Sequence, residues 1–476
     1  MFRSLFERHT IPGIDIKPEI LYYIDMPFLA KAPPSIRILV WFIIPILLGA
    51  FLLCLPISTE GETIAFIDAL FTSTSAFCVT GLVTVNTAQT FTYFGKTVIL
   101  FLMQFGGLGV MAFSTLFFLA VGGKISTSQV FDIKSTFTSR TDTRVKAIIK
   151  AAFIVTAILE GLGVILLYFP FASYMPASKA LYFAIFHSVS AFNNAGLSVS
   201  PNGLEDFHTN IPIALTIAGL IVIGGLGFVA NMEIYDRIRF RSERRRTSLH
   251  TKLVVYTTGI LIVFGTIAFV LLEMNNAYSR DPWHLKIIDG IFQSITPRTA
   301  GFNTIPQTSL SIVSVLITIL FMVIGASPGS TGGGIKTTSF AIILMAIVAR
   351  VRGRSDINIF RKSVALDSII KAVSIFILAV LLLFIATIAM ILLETGFHLS
   401  KMPPGEELKY LFEAVSAFGT VGLSLGITST LHFSGKIILI MLMVIGRVGL
   451  LTIFYVMARP EAAGRISFSE ESVMIG

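Results

Sequence analysis

Long apolar runs separated by short polar stretches dominate the chain. The runs Ile36–Ile57, Val98–Val121 and Ser374–Leu393 each approach the ~20 apolar residues that a helix needs to cross a bilayer. Other apolar runs alternate with shorter, mixed segments along the rest of the sequence. This pattern predicts an all-α polytopic membrane protein with eight spanning helices.

A short motif that ends in glycine recurs four times within this pattern. Each copy closes with Gly followed by Leu or Phe, and the copies are Ser75–Leu82, Ser190–Leu197, Ile295–Phe302 and Ser416–Leu423. Their glycines lie 115, 105 and 121 residues apart, which is too long for a solenoid unit. The spacing therefore predicts one supersecondary module that is used four times.

Each module is predicted to hold a first spanning helix, a shorter helix that leads into the glycine, and a second spanning helix. Repeat 1 covers 36–121, repeat 2 covers 147–231, repeat 3 covers 252–350 and repeat 4 covers 371–457, with tails at 1–35 and 458–476. The helices are expected at about 36–57, 63–77 and 96–121; 147–169, 178–192 and 211–231; 252–273, 284–297 and 310–350; and 371–396, 407–418 and 434–457.

The short middle helices carry polar side chains such as Ser75, His187, Gln293 and Glu413, which a lipid-facing segment avoids. A re-entrant segment of this kind is tolerated only where protein or water surrounds it. Its C-terminal end points the negative end of the helix dipole at a cation, and glycine lets carbonyls face the ion without a Cβ in the way. The sequence therefore predicts a four-sided, pseudo-fourfold cation pore lined by four stretches: Val79, Thr80 and Gly81; Asn194, Ala195 and Gly196; Thr299, Ala300 and Gly301; Thr420, Val421 and Gly422.

The second helix of repeat 3 is interrupted by an unusual stretch, Gly325–Thr337. Five glycines and a proline within thirteen residues do not maintain a regular helix, and non-helical backbone at membrane depth normally lines a cavity. The stretch superficially resembles a phosphate-binding loop, but Ile335 stands where that motif needs lysine, so no nucleotide is expected on this chain. We predict a gate whose residues are Gly325, Ser327, Gly329, Gly332, Gly333, Gly334, Lys336 and Arg447.

Three further charges lie within the predicted membrane region. Arg447 stands in an apolar span, where a charge costs at least ~2.5–3.5 kcal/mol, so we expect it to bond carbonyls of the loop 325–337. Glu160 has two open interpretations, a proton or cation site and a hydrogen-bonded contact between helices, of which the second is favoured. Arg298 either orients the third stretch by hydrogen bonds to carbonyls, which is favoured, or places a positive charge near the pore.

Charge and composition narrow the class further. Hydrophobic residues make up 54% of the chain and charged residues 13%, which excludes a soluble protein of this size. The net charge of +9 is concentrated in the segments 122–150, 231–252 and 349–371, where 19 Lys and Arg face 7 Asp and Glu. This positive-inside pattern predicts that these segments and both termini are cytoplasmic, and it argues against nucleic acid as the partner. The six arginines between Arg237 and Arg246 are read as a topology signal, with contact to anionic lipid or a cytoplasmic partner as the alternative.

The sequence shows no pattern of residues typical of an enzyme active site. His187, His208 and His250 have no paired ligand spacing, and Cys54 and Cys78 form no disulfide framework, so an enzyme is not expected.

Taken together, these motifs resemble the Trk/Ktr/HKT superfamily of potassium transporters, and most closely the Ktr membrane subunit (KtrB). The residues that carry the resemblance are Val79–Leu82, Asn193–Leu197, Thr296–Phe302 and Phe418–Leu423, together with Ser327–Lys336 and Gly446–Arg447. The likeness spans about Ile36 to Met457. Single motifs of this kind are weak, but all of them in this order are specific.

The resemblance implies four helix–pore-helix–helix repeats around one pore per subunit, a homodimer in the bacterial plasma membrane, and a cytoplasmic nucleotide-binding regulatory ring (KtrA-like). It also implies potassium as the transported ion, since all four filter positions keep glycine, and stimulation by sodium. The expected function is thus gated potassium uptake. A sodium- or proton-coupled cation carrier with alternating access is the alternative. The role of the tail 1–35 stays open.

Overall fold

The computed structural model describes residues 34–109, 145–239, 247–354, 357–360, 362–398 and 403–449. The predicted C-terminal tail 458–476, nearly all of the N-terminal tail, and most of the basic segment 122–150 lie outside these residues. Residues 240–246 of the arginine cluster lie outside them as well.

The described residues are almost entirely helical. Repeat 1 contains α1 (Pro34–Leu53), α2 (Phe66–Phe77) and α3 (Tyr93–Gly107); repeat 2 contains α4 (Val145–Ala172), α5 (Ala177–Phe192), α6 (Ile211–Leu226) and α7 (Phe228–Arg239). Repeat 3 contains α8 (Leu249–Glu273), α9 (Trp283–Ile295), α10 (Ile312–Val323) and α11 (Thr337–Val351); repeat 4 contains α12 (Leu366–Glu394), α13 (Glu406–Gly419) and α14 (Phe433–Val448). Repeats 3 and 4 are joined by a small hairpin of two antiparallel strands with two residues each, β1 (Asn358–Ile359) and β2 (Lys362–Ser363). A helical turn (Thr87–Thr90) and short 3₁₀ turns (Pro56–Ser58, Glu205–Phe207, Gln307–Ser309, Thr428–Thr430) complete the list.

The four short helices α2, α5, α9 and α13 are held by a closed cycle of contacts. Within each repeat the short helix packs against the first helix. Between repeats, α3 packs against α5, α6 against α9, α10 against α13, and α14 returns to α2. The chain thereby closes a ring of four groups, with the C-terminal ends of the short helices at its centre.

Polar side chains are buried and large apolar side chains are exposed, as expected for a protein in lipid. The short helices bury hydroxyls and ionisable groups, among them Ser73, His187, Asp289 and Glu413. Large apolar side chains lie on the outer surfaces; on α4, for example, Ile158, Leu162 and Ile165 are exposed. Such exposed apolar faces fit lipid rather than water.

Three helices among the described residues are long and apolar enough to cross a membrane: Phe153–Ala172, Leu249–Glu273 and Leu366–Glu394. Shorter apolar helices are Phe42–Leu53, Ile211–Leu226, Ile312–Val323 and Thr337–Val351. The expectation of eight spanning helices therefore stays a prediction.

The second helices differ from the sequence prediction. The uninterrupted spans expected at 96–121, 211–231 and 434–457 instead end at Gly107, Leu226 and Val448. The reason is a glycine with positive φ just beyond each end: Gly109 (79°), Gly227 (90°) and Gly449 (96°). A right-handed helix does not pass through such a backbone conformation, so the second helices of repeats 1, 2 and 4 end at a similar distance after their motif glycine.

Candidate functional site

The four motif glycines meet at the centre of the ring. A Cβ added to Gly81 would lie 2.5 Å from the Ala195 carbonyl oxygen, and one added to Gly196 would lie 2.7 Å from that of Ala300. In the same way Gly301 abuts the carbonyl of Val421, and Gly422 abuts that of Thr80. We call the stretches 79–81, 194–196, 299–301 and 420–422 the glycine ring. All twelve residues predicted to line the pore are thus brought together, and four equivalent carbonyl oxygens lie at their contacts.

The backbone conformation of the ring repeats in all four copies. The first residue of each stretch has positive φ although it is not glycine: Val79 (56°), Asn194 (59°), Thr299 (71°) and Thr420 (50°). The closing glycines Gly81, Gly196, Gly301 and Gly422 also have positive φ, from 67° to 95°. Left-handed conformations are costly for β-branched residues such as Val79, Thr299 and Thr420, so one pattern held in all four copies marks a functional constraint.

Hydrogen bonds tie the amides of the ring to the short helices. In repeats 1 and 4 the serine that sits six residues before the glycine takes part twice. Its hydroxyl accepts from the glycine amide, at 3.0 Å in both Ser75–Gly81 and Ser416–Gly422. Its carbonyl accepts from the middle residue, at 2.7 Å from Thr80 and 2.8 Å from Val421. With the amides committed to the helices, none of the hydrogen bonds between described residues ends on the four middle carbonyl oxygens.

The third copy is fixed differently. Thr296 donates its hydroxyl to the Phe302 carbonyl, and its own carbonyl accepts from Ala300 at 3.0 Å. Arg298 is buried and donates to the Thr258 hydroxyl at 3.2 Å. The prediction that Arg298 bonds carbonyls is therefore wrong, because among the described residues its side chain bonds this hydroxyl on helix α8. It anchors this copy to its own first helix.

A cavity of about 310 Å³ opens on one side of the ring. All four glycines line it, together with polar residues that follow them in the chain, such as Asn86, Glu205, Asn303 and Ser424. Burial raises the pKa of Glu205, the neighbouring Asp206 raises it further, and the amide of Asn303, which donates to Glu205, lowers it. The cavity is a polar vestibule suited to a hydrated cation.

The predicted gate lies on the opposite side of the ring. We call residues 325–336 the glycine loop. The Gly333 amide donates to the Thr420 hydroxyl at 3.0 Å, and a Cβ on Gly332 would collide with the Thr299 hydroxyl. Thr331 donates to the Phe192 carbonyl at 3.2 Å. The loop therefore contacts the ring at two of its four copies and the end of α5 in a third repeat, on the side that precedes the glycines.

Two cations hold the glycine loop. Lys336 folds back and donates to the Gly332 carbonyl at 2.8 Å. Arg447 donates to the carbonyl of Thr331, as the sequence predicts, and also to the carbonyl of Gly106 at the end of α3. The second bond was not expected; it joins repeats 1, 3 and 4 through one side chain. Of the other predicted gate residues, Gly325 abuts the Gly333 carbonyl, Gly329 accepts from the Phe228 amide at 3.1 Å, and the Ser327 hydroxyl bonds that of Thr337 at 3.0 Å.

Glu160 forms a contact between helices rather than an isolated carboxylate. It accepts from Gln104 at 3.1 Å and from Asn193 at 3.0 Å, which links α4 to α3 and to the end of α5. This arrangement fits the structural interpretation of Glu160.

Two groups of residues were not found by sequence reasoning. The first is a glycine on the first helix that faces a serine of the short helix: Gly49 faces Ser73, Gly163 faces Ser188 and Gly265 faces Ser294. The repeated spacing of these glycines before the motif was the available signal. The second group is His208, Asp281 and Asp289, which come together although the sequence scatters them.

This geometry can be compared with known proteins. The family model for TrkH, described as a cation transport protein, matches residues 38–463. The chain belongs to the TrkH family of cation transport proteins. It is 36% identical over 448 residues to the Ktr system potassium uptake protein B of Bacillus subtilis, covering 93% of this chain and 97% of that protein. It is 34% identical over 442 residues to the potassium/sodium uptake protein NtpJ of Enterococcus hirae, covering 91% and 95%.

A solved structure shares the fold of this TrkH family member. The potassium transporter TrkH from Vibrio parahaemolyticus aligns with a TM-score of 0.71 at 18% identity, covering 90% of this chain and 86% of that one. The family resemblance drawn from the four glycine motifs is thus confirmed.

Proposed function

We propose that this chain takes up potassium ions across a bacterial plasma membrane, through the glycine ring. The observation that carries the proposal is the ring itself, where four glycines abut the carbonyl oxygens of the neighbouring copies. A ring of carbonyls can replace the hydration shell of a potassium ion. The family membership and the relatives named as potassium uptake proteins support the choice of ion.

The twelve ring residues form the selectivity filter of a pseudo-fourfold pore in this proposal. The side chains of the ring are not equivalent. The first backbone position of the four stretches holds three residue types, in Val79, Asn194, Thr299 and Thr420. We expect weaker discrimination against rubidium and sodium than in a filter of four identical strands. Sharp exclusion of both ions in flux measurements contradicts this expectation.

The glycine loop with Arg447 forms the gate. Its contacts beneath the ring support this role, because an ion that leaves the filter on that side meets the loop. Arg447 stabilises the closed position by joining the loop to α3. Opening then requires these two bonds to break together.

The assembly completes the proposal. The chain forms a homodimer within the lipid bilayer, with both termini cytoplasmic and the polar vestibule outside. A cytoplasmic ring of nucleotide-binding subunits docks on the basic face and controls the gate, and sodium stimulates uptake. The name of the Enterococcus hirae relative, a potassium/sodium uptake protein, supports a part for sodium.

The deciding experiment is growth in low potassium of a bacterium that lacks its own uptake systems. Cells carrying the wild-type chain with a Ktr regulatory subunit should grow, and Gly81→Ser should weaken selectivity for potassium over sodium. Gly61→Ser is the matched control, because Gly61 has the same φ of 95° as Gly81 but no neighbour within 4 Å. If the wild-type chain is well expressed and inserted in the membrane but does not rescue growth, potassium is not the transported ion.

The carrier alternative has its own test. Glu160→Gln keeps the shape of the side chain and one of its two acceptor oxygens but removes the charge. Retained uptake agrees with the contacts to Gln104 and Asn193 and with a pore, whereas complete loss of uptake favours a coupled carrier.

A further inference from the structure

A histidine and two aspartates meet beside the mouth of the vestibule. His208 Nε2 lies 3.0 Å from Asp289 Oδ2 and 3.8 Å from Asp281 Oδ2, and one ligand atom from each residue lies within 4.8 Å of the others. His208 directly follows the turn Glu205–Phe207 of repeat 2. Asp289 stands on α9 and Asp281 just before it, so the cluster joins repeats 2 and 3.

The surroundings of this cluster are polar and enclosed. The Asp289 side chain is 2% exposed; its Oδ1 accepts from the Thr304 hydroxyl at 2.8 Å, while its Oδ2 faces His208. His208 and Asp281 keep about a fifth of their side-chain surface open, at 22% and 17%, which leaves a route for an ion. A pair of carboxylates this close to one imidazole is a ligand set for a dication.

Tyr278 provides a second, independent observation. Its side chain is fully buried, and its hydroxyl has no hydrogen-bond partner among the described residues. The Asp281 amide donates to the Tyr278 carbonyl at 3.1 Å, so Tyr278 stands in the same turn as one member of the cluster. A buried hydroxyl without a partner normally indicates a missing water or ion.

We propose that His208, Asp281 and Asp289 bind a first-row transition-metal dication, with Zn²⁺ as the best match. Zinc takes imidazole nitrogen and carboxylate oxygen at 2.0–2.2 Å, which places tetrahedral ligand atoms about 3.4 Å apart. The observed separations reach this value with small side-chain movements. An imidazole in the set favours zinc over magnesium or calcium. The fourth position is left to a water.

A bound dication would act on the vestibule. It would fasten the post-filter turn of repeat 2 to repeat 3, where Asn303 already donates to Glu205. It would also neutralise the carboxylates of Asp281 and Asp289 beside the route by which cations enter, which weakens the attraction of cations to the vestibule. We therefore expect external zinc to slow uptake, a consequence that rests on the proposed function.

Binding is tested on the purified full-length chain in detergent, carrying an affinity tag without histidines. Titration calorimetry with Zn²⁺ should give one site per chain. The substitutions His208→Gln and Asp281→Asn should each weaken binding by more than the ~10–100-fold that loss of a second-shell partner costs. His208→Cys should retain binding, because a thiolate is also a zinc ligand.

The chain offers a matched control. His432 bonds Glu394 at 2.7 Å, as a histidine–carboxylate pair with no third ligand among the described residues, so His432→Ala should leave the site intact. X-ray absorption of the zinc complex should show nitrogen and oxygen near 2.0–2.1 Å and no sulfur near 2.3 Å, which separates this site from one at Cys54 or Cys78. Zinc binding that is unchanged in folded His208→Gln and Asp281→Asn overturns the proposal. Zinc bound at this site in a chain that fails to rescue growth would leave the metal site standing and count against the proposed function alone.

Discussion

Repeat 3 differs from the other three repeats in how its second helix ends below the ring. In repeat 2 the second helix ends at Leu226 and α7 begins at Phe228, and in repeats 1 and 4 the second helix ends at Gly107 and Val448. In repeat 3 the corresponding helix ends at Val323 and opens into the glycine loop before α11 begins at Thr337. The ring has four copies with one backbone conformation, whereas the glycine loop interrupts the second helix of repeat 3. Among the described residues, the fourfold pattern of the ring is therefore not repeated by the glycine loop below it.

The largest effect on uptake is expected from a substitution in the glycine ring, where the four copies share one backbone conformation. In Gly422→Ala the new Cβ collides with the Thr80 carbonyl oxygen, so uptake should fall to background. Gly61→Ala is the control, since Gly61 has nearly the same φ, 95° against 94°, with open space around it. It should lose only the roughly 1–2 kcal/mol of stability that a left-handed alanine costs and keep uptake. Equal loss in both variants, measured as rubidium flux at matched expression, would show that backbone strain rather than ring closure matters.

The second effect concerns the asymmetric side. Arg447→Ala removes a charged donor that bonds two carbonyls, and such bonds contribute about 1.5–3 kcal/mol. If they stabilise the closed gate, flux without the regulatory subunit should rise roughly tenfold or more, because 1.4 kcal/mol corresponds to a factor of ten. Deletion within the glycine loop should act in the same direction. Arg350→Ala, at an exposed arginine in the last turn of α11, should change nothing. Unchanged flux in folded Arg447→Ala would exclude the proposed gate.

The sequence predicts the ring better than the gate, for a physical reason. Motifs such as Val79–Leu82 and Phe418–Leu423 combine a helix end with a glycine, and four of them within apolar repeats have few other uses. Their convergence could thus be anticipated, and so could the bond from Arg447 to the glycine loop, because repeats 3 and 4 are neighbours.

The remaining features depend on distances that no local pattern encodes. A glycine pair such as Gly106–Gly107 is compatible with a tightly packed helix and with the end of a helix. The structure shows both features, because Gly106 abuts the Phe77 carbonyl and α3 ends at Gly107. The second partner of Arg447 lies 341 residues away in the chain. His208 and Asp289 are 81 residues apart and meet only because α6 packs against α9.

A smaller effect is expected from the serine hydroxyls that fix the ring. Ser416→Ala leaves the half-buried Gly422 amide without its side-chain acceptor, a loss of at most the ~1–3 kcal/mol that a fully buried donor costs. Potassium uptake should persist, while the preference for potassium over sodium should fall several-fold because the carbonyls gain freedom. Ser75→Ala should behave alike, and Ser309→Ala, which removes only an exposed bond to the Pro306 carbonyl, should not. Competition of sodium with rubidium uptake measures the change, and an unaltered ratio in both ring variants would contradict the role of these hydroxyls.

The smallest effect on transport is expected outside the ring, where the first helix supports the short helix. In repeat 3 a Cβ on Gly265 would collide with the Ser294 hydroxyl and lie 2.5 Å from the Phe321 ring. Gly265→Ala should therefore destabilise the protein by about 1–3 kcal/mol, as overpacking does, and lower its thermal midpoint in detergent. Gly259→Ala lies on the same helix α8 with no neighbour within 4 Å, so it should be neutral or gain up to ~1 kcal/mol from helix propensity. Opposite signs for two alanines on one helix would show that the contact with Ser294, rather than the glycine itself, holds the short helix in place.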